Sequence, residues 1–479
     1  MKHCPNERCS FRLKHGHAAE YEDEPTQCAD CGAKLADGGV PEASHAPAPT
    51  PPALVRRLAV SLAAVAIAYA LTWLRLPTVD AELLQRGLHF GIRENVSVAA
   101  LGLNPLVSAA ILVELVALIV PSWRALRVRG AQGRAKLWRA SVVLTFIVAV
   151  FQAFGISMFL ANLSPQTGGI AFHGLTVLTL VAGTALLLLI AHAVERWGLG
   201  NGLSLLLAGA FLPDILRTLD VTRQRINDES IAPMTLVICA AAMLAMAFAT
   251  VRAMRGSAST PAPSIRVPAS GAAPVWDAHA LVMLPATFAG MGVIAFESLP
   301  QPGSALHTIG LLAAALLLTP VACWLFNQPQ RVARVHRTLG FEGTVPEAKA
   351  LLRRAMLRSA IWVAVIVLGS TVVLQVFGGD VAIGGALVIV VTSVVLDLLA
   401  EFRFRKQHEQ VVLIWEEHRV YAADAALTIL QGAGIPTLLR GVHHRTLLQF
   451  FGPYVAMHVC VPESRETEAR ALLAGLAEG

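Results

Sequence analysis

The sequence predicts an all-α polytopic membrane protein with a small domain at each end. Charged residues make up only 15% of the 479 residues, against about 25% in ordinary soluble proteins, and 55% are hydrophobic. Aromatic residues account for only 6%, so the apolar excess is mainly Ala, Leu, Val and Ile, which favour bilayer-spanning helices. These figures exclude a soluble globular enzyme.

Apolar runs long enough to cross a bilayer recur between residues 54 and 402. A span needs about 20 mostly apolar residues. The runs lie at 54–74, 98–120, 141–161, 171–194, 203–219, 232–251, 279–299, 305–326, 359–377 and 381–402. The run at 203–219 is the weakest because Pro213 and Asp214 interrupt it. We therefore predict ten spans.

The distribution of Lys and Arg orients these spans. With the N-terminus inside, the short inner loops carry 17 basic residues and the outer loops carry six. Because basic residues accumulate in cytoplasmic loops, both termini are predicted to be cytoplasmic. The net charge of +6 reflects this bias, and we expect no DNA partner.

Residues 1–35 form a polar head that carries Cys4, Cys9, Cys28 and Cys31. Two pairs of thiolates on tight turns supply the four soft ligands that structural Zn²⁺ prefers, and four thiolates leave no open position for catalysis. A head with almost no apolar core needs such a metal to fold. The first pair is separated by four residues rather than two, so a disordered head with free thiols remains the alternative. Residues 36–53 form a Pro/Ala-rich linker.

Residues 407–479 are predicted to form a small cytoplasmic α/β domain. Strands are expected at 411–415, 436–439 and 454–461, and helices at 420–431 and 466–476. The segments AGIP at 433–436 and FFGPY at 450–454 resemble a small domain family associated with signal transduction. His443, His444 and Arg445 are predicted to form a polar loop. A solvated loop is the favoured interpretation, and an anion site is the alternative.

Several motifs along the apolar region occur in the order of a known family. Residues 100–115 read ALGLNPLVSAAILVEL, and GRAK at 133–136 and FQAFGI at 151–156 follow. The others are GLGNGLS at 198–204, FNQP at 326–329 and LVIVV at 387–391 with Asp397. Residues 54–406 thereby resemble the SecY family, the channel subunit of the protein translocase.

The resemblance implies ten helices in two pseudo-symmetric five-helix halves, in the bacterial cytoplasmic (inner) membrane. A ring of mostly aliphatic side chains would narrow the pore, and a short plug would close its outer side. Matched by motif, the ring positions are Val107, Ile111, Leu203, Leu207, Thr287 and Val390. Thr287 departs from the apolar pattern. The plug positions are Leu83, Leu84, Gly87 and Gly91.

The resemblance also implies a passive channel rather than an enzyme. Its substrate would be an unfolded polypeptide that crosses the bilayer or leaves sideways into membrane lipid. Its partners would be SecE-like and SecG-like subunits and a SecA motor or a ribosome, since the chain has no phosphate-binding loop of its own. Arg331, Arg334 and Arg337 are the expected docking residues.

One departure from the family favours a second hypothesis. The loop at 256–274 is rich in Ser, Ala and Pro, and Arg266 is its only basic residue, whereas the family presents a basic hairpin there. Docking of the ribosome or motor is therefore less well supported than the channel body. The alternative function is a degenerate membrane scaffold or sensor that displays the two terminal domains.

Overall fold

The computed structural model divides the chain into two compact units, Met1–Ala53 and Leu54–Gly479. The structure describes residues 2–6, 9, 20–21, 26–37, 54–79, 96–128, 130–163, 169–255, 265–290, 304–338, 340–341, 343–377, 384–408, 410–449 and 457–477.

The first unit is a small sheet beside a cluster of cysteines. Its strands are β1 (Lys2–His3), β2 (Glu20–Tyr21) and β3 (Ala36–Asp37), with β1 paired antiparallel to both neighbours. The described core consists of the cysteine cluster and Leu35, with Ala33 packed beside it. So little apolar surface cannot stabilise a fold by itself.

The second unit is dominated by helices. They are α1 (Leu54–Leu71), α2 (Asn104–Ile119), α3 (Pro121–Val128), α4 (Gly130–Leu163), α5 (Ile170–Trp197), α6 (Gly202–Gly209), α7 (Leu212–Asn227), α8 (Pro233–Arg255), α9 (Ala273–Gly290), α10 (Ala305–Phe326), α11 (Pro329–Thr338), α12 (Val345–Phe377) and α13 (Gly385–Gln407).

Eight stretches of described helix are long and apolar enough to cross a membrane. α2 and α9 lie at the positions of the other two predicted spans. Large aliphatic side chains are exposed around the bundle, including Leu178 and Leu244 at 67% and 71% exposure. Such a surface is stable in lipid and not in water, which confirms the predicted class of helical membrane protein.

Two elements differ from their predicted bounds. The span at 203–219 is two helices, α6 and α7, and Pro213 lies in the first turn of α7, where its missing N–H costs nothing. α12 begins well before its apolar run, because Thr344 and Glu347 form a reciprocal capping box.

A small antiparallel sheet with helices ends the chain. Its elements are β4 (Val411–Glu417), α14 (Val420–Gly432), β5 (Leu438–Arg440), α15 (Val442–Leu447), β6 (Met457–Pro462) and α16 (Glu466–Ala477). The strand order is β4-β6-β5, and α14 and α16 pack with the sheet around one apolar core. We call residues 410–477 the C-terminal domain; it belongs to the same compact unit as the helices.

The prediction of a polar loop at 443–445 is wrong. These residues form α15, where His444 is fully buried and Arg445 is 4% exposed. Arg445 donates to the carbonyl oxygens of His418, Leu448 and Gln449. This polar run is therefore part of an interior surface and not a solvated loop.

Candidate functional site: an aliphatic cluster and the turn before α6

A large apolar cluster within the second unit includes four of the six predicted ring positions. Leu203 belongs to its buried core, and Val107, Ile111 and Leu207 pack against it from α2 and α6. Val390 on α13 is 4% exposed but is not a member of this cluster, whereas its sequence neighbours Val388 and Ile389 are. The structure thus brings together the predicted ring positions of α2 and α6, whose branched aliphatic side chains are of the kind that hinders ions without hydrogen-bonding a passing chain.

The predicted positions of Thr287 and of the plug cannot be compared with the structure. Thr287 lies on α9, but its side chain is outside the described part of the structure. The plug positions Leu83, Leu84, Gly87 and Gly91 fall within 80–95, outside the described residues.

Small residues allow the helices around the cluster to approach closely. Ala109 and Ala110 are fully buried on α2. Gly202, the first residue of α6, lies against α5, and a Cβ atom there would overlap the carbonyl oxygen of Ala191. The position of α6 therefore depends on the absence of a side chain at residue 202.

The turn at 198–201 holds α6 in place through its backbone groups. The hydroxyl of Ser61 on α1 accepts from the Leu199 amide at 2.8 Å and donates to the Leu199 carbonyl at 3.0 Å. Arg57 donates to the Gly198 carbonyl at 3.1 Å, and the Gly200 amide donates to Glu401 of α13 at 3.0 Å. Asn201 caps α6 by accepting from the Ser204 amide at 3.0 Å. Irregular backbone is tolerated among membrane helices when protein satisfies it in this way.

The predicted docking arginines lie on α11, a short helix with one buried face. Arg334 and Arg337 are exposed, whereas Arg331 is half-buried. Val332 and Val335 on the other face belong to a cluster that includes Tyr421 of the C-terminal domain. α11 therefore presents two basic side chains outward and uses its apolar face for internal packing.

Arg266 is unavailable for docking. It is 8% exposed, and its Nε donates to Oδ1 of Asp424 on α14 at 2.6 Å. Burial raises the pKa of the Asp424 carboxyl, and the positive charge of Arg266 opposes this rise. The basic residue that the sequence leaves in the 256–274 loop is thus engaged within the chain.

The four head cysteines form a separate site. Their Sγ atoms all lie within 4.8 Å of one another, with Cys4–Cys31 and Cys9–Cys28 separations of 3.5 and 3.7 Å. Four sulfur atoms at about 2.3 Å from a tetrahedral Zn²⁺ are about 3.8 Å apart, so the arrangement fits that ion. Burial raises the pKa of Cys4 to about 12; the backbone hydrogen bond with Asn6 opposes this rise, and the neighbouring thiols add to it. The thiol form is therefore favoured unless a cation stabilises the thiolate.

Turn geometry explains how the second cysteine pair comes together. The Cys28 carbonyl accepts from the Gly32 amide at 2.9 Å, and the Cys28 amide donates to the Ala33 carbonyl at 2.8 Å. Gly32 has a φ of +71°, which an L side chain rarely adopts. The glycine that follows Cys31 is therefore part of the knuckle.

Sequence reasoning missed Ser61 and Glu401 as residues that hold the turn before α6. Each is a polar residue on a predicted membrane span, which is a usable sequence signal of a functional or structural role. The structure shows that both are buried. Their partners could not be identified because they lie 138 and 201 residues away along the chain.

Comparison with known proteins agrees with this geometry. Residues 97–399 match the family described as SecY. The protein translocase subunit SecY of Escherichia coli K12 is 23% identical over 403 residues, covering 73% of this chain and 90% of that protein. The SecY subunit of Aquifex aeolicus is 25% identical over 339 residues, covering 63% and 79% of the two chains.

A solved SecY structure, described for the role of its plug domain in sealing the closed channel, has the same fold. It superposes with a TM-score of 0.51 at 14% identity and covers 75% of this chain and 94% of its own. Together with the match over 97–399, which spans more than half of the sequence, these similarities establish that the chain belongs to the SecY family.

Proposed function

We propose that this chain forms a protein-conducting channel in the membrane through which unfolded polypeptides cross or enter the bilayer. The observation that carries the proposal is the aliphatic cluster to which α2 and α6 contribute Val107, Ile111, Leu203 and Leu207. Membership of a family whose relatives are protein translocase subunits supports it.

The channel acts without bond chemistry. A seal of branched aliphatic side chains fits around an extended polypeptide while offering it no hydrogen bonds. In this proposal Val390 of α13 completes the constriction together with Thr287, which is assigned to it by sequence motif alone. Leu83, Leu84, Gly87 and Gly91 are proposed to belong to the plug. The driving energy comes from a partner, in this proposal a SecA motor or a ribosome, and SecE-like and SecG-like subunits complete the assembly.

The protein is a multi-pass membrane protein, and we propose the bacterial inner membrane with both termini in the cytoplasm. The excess of basic residues in the predicted inner loops supports this orientation. The C-terminal domain and α11 then lie at the cytoplasmic mouth. Arg334 and Arg337 are the exposed charges there for a partner, while Arg266 is already paired.

The head is proposed to hold one structural Zn²⁺ through Cys4, Cys9, Cys28 and Cys31. The sulfur separations support this ligand set. Metal analysis of the full-length protein is expected to give one zinc per chain, and Cys28→Ser is expected to lose it. Cys460→Ser, in the C-terminal domain, is the matched control and keeps the metal. Full-length protein that is folded but metal-free refutes the site.

Partner capture separates a channel from a membrane scaffold. Purification of the full chain in mild detergent is expected to retain a SecE-like subunit, since a channel of this family works within a translocase. Reconstituted with the captured subunits and a motor, it should move a precursor protein into a protease-protected space. Terminal domains that capture other proteins, with neither translocase subunits nor transport, favour the scaffold.

A further inference from the structure

Most of the described membrane helices fall into two packing groups. α1 to α6 pack on one another, α8 to α13 pack on one another, and α6 against α13 is the main helix contact between the groups. We call this contact the α6–α13 junction. The 198–201 turn lies at one side of the junction and Glu401 at the other.

Arg440 of the C-terminal domain bridges this junction. It follows Leu439 at the end of β5, and its Nη2 donates to the Gly200 carbonyl at 2.6 Å while its Nε donates to Glu401 Oε2 at 3.1 Å. The same Glu401 oxygen accepts from the Gly200 amide at 3.0 Å. One guanidinium is thus hydrogen-bonded to both helix groups, a geometry that its planar fork of donors permits.

Asp397 provides a second attachment, one turn earlier on α13. Its Oδ1 accepts from the His443 amide at 3.1 Å and faces His443 Nδ1 at 2.7 Å, and its Oδ2 accepts from the His444 amide at 2.9 Å. The carboxylate therefore receives the first amides of α15, which are otherwise without intrahelical partners.

The segment before α9 provides a third attachment. The Ala272 amide donates to the Leu447 carbonyl at 2.7 Å, and Gln449 donates to the Ala269 carbonyl at 3.2 Å. The ion pair of Arg266 with Asp424 lies in the same region. The C-terminal domain is thus fixed to the second group at separate places and reaches the first group through Arg440.

We propose that the function of the C-terminal domain is to clamp the α6–α13 junction, holding the two helix groups together. α6 carries Leu203 and Leu207, so the clamp also restrains the aliphatic cluster. The clamp itself rests on these contacts alone. Its effect on conduction, a tighter resting seal, rests on the proposed channel function.

Hydrogen exchange of the full chain in lipid nanodiscs tests the clamp without any transport assay. Arg440→Ala removes the bridge and is expected to speed exchange about tenfold or more in peptides covering 198–205 and 394–401, because the lost bonds involve charged groups. Arg440→Lys, which cannot bond both partners in the same way, is expected to give an intermediate increase. Arg465→Ala is the matched control, since Arg465 pairs with Glu468 on the exposed side of the same domain. Equal exchange at 198–205 in Arg440→Ala and the control overturns the proposal.

Arg440→Ala could act by unfolding the C-terminal domain itself, and faster hydrogen exchange at 411–417 would reveal this. A second variant is therefore needed that leaves the domain folded. Asp397→Asn leaves the domain's own sequence intact and is expected to speed exchange at 442–448 and 198–205 but not at 411–417. Unchanged exchange at 198–205 in this variant contradicts the clamp.

Ion conductance in planar bilayers distinguishes the clamp from the channel. Arg440→Ala is expected to leak more ions than Arg465→Ala. If no form of the protein conducts while the exchange differences hold, the channel function is refuted and the clamp stands.

Discussion

Substitution of Gly202 by alanine tests whether the close approach of α6 to α5 holds the aliphatic cluster together. The added Cβ would overlap the Ala191 carbonyl oxygen and would lie 2.6 Å from its carbonyl carbon, whereas real Cβ atoms essentially never approach another atom within 3.0 Å. Both atoms belong to the α5 backbone, so no side chain can rotate to relieve the overlap. We expect the free energy of unfolding to fall by about 1–3 kcal/mol, although alanine is the better helix former by up to about 1 kcal/mol.

Gly209→Ala provides a matched control on the same short helix. Its Cβ would meet Val65 at 3.4 Å, an ordinary contact, so the gain in helix propensity should make this variant neutral or slightly more stable. Thermal unfolding in detergent, followed by intrinsic fluorescence, compares the two variants with the parent. Gly202→Ala unfolding at or above the temperature of Gly209→Ala refutes the reasoning.

Three further predictions concern buried polar contacts. Arg266→Met leaves Asp424 buried without its charge partner and is expected to lower the free energy of unfolding by about 3–5 kcal/mol. Adding Asp424→Leu is expected to recover most of this loss, and a double variant that is no more stable than Arg266→Met contradicts the prediction. Ser61→Ala removes both hydrogen bonds to the turn before α6 and is expected to lower the free energy of unfolding, measured with heat or denaturant, by about 1–3 kcal/mol. Ser141→Ala is the control and should change stability little, because the buried Ser141 hydroxyl has no hydrogen-bond partner among the described residues. Burial raises the pKa of Glu417, but the nearby charge of His418 and the bonds to the Arg419 guanidinium and amide outweigh this effect and lower the pKa to about 2. The ionised Glu417 carboxylate therefore contributes about 3 kcal/mol to the free energy of unfolding above pH 4.5, and this contribution is lost as the pH falls from 4.5 towards 2. Glu417→Gln should flatten the pH dependence of hydrogen exchange in β4, and an unaltered pH profile contradicts the prediction.

The membrane helices could be predicted from the sequence because lipid imposes a simple requirement. A run of about 20 apolar residues has few alternatives to a spanning helix, so helices lie at all ten predicted positions. The strands and main helices of the C-terminal domain also follow from local patterns, such as the run rich in β-branched and aromatic residues at 411–415 and the glycine that ends α14.

The contacts between distant segments could not be predicted. His443 and Asp397 are 46 residues apart, Arg266 and Asp424 are 158, and Arg440 and Gly200 are 240. Apolar neighbours along the chain suggest burial for Asp397 and Asp424, but nothing local identifies the distant residue to which each of these groups bonds. The prediction of a polar loop at 443–445 is wrong for this reason: His443 and His444 bond to Asp397, which lies on a membrane helix 46 and 47 residues earlier in the chain.

Crosslinking of a nascent polypeptide to the aliphatic cluster tests the central claim most directly. A photoreactive amino acid is placed at Ile111 or Leu207, which pack against the cluster, and in separate variants at Leu178 or Leu244, which face outward. With a precursor stalled during translocation through the full assembly, we expect adducts from the first two positions and few from the outward pair. Equal labelling at all four positions, or none at Ile111 and Leu207 while the precursor is stalled, would contradict a polypeptide path through this cluster.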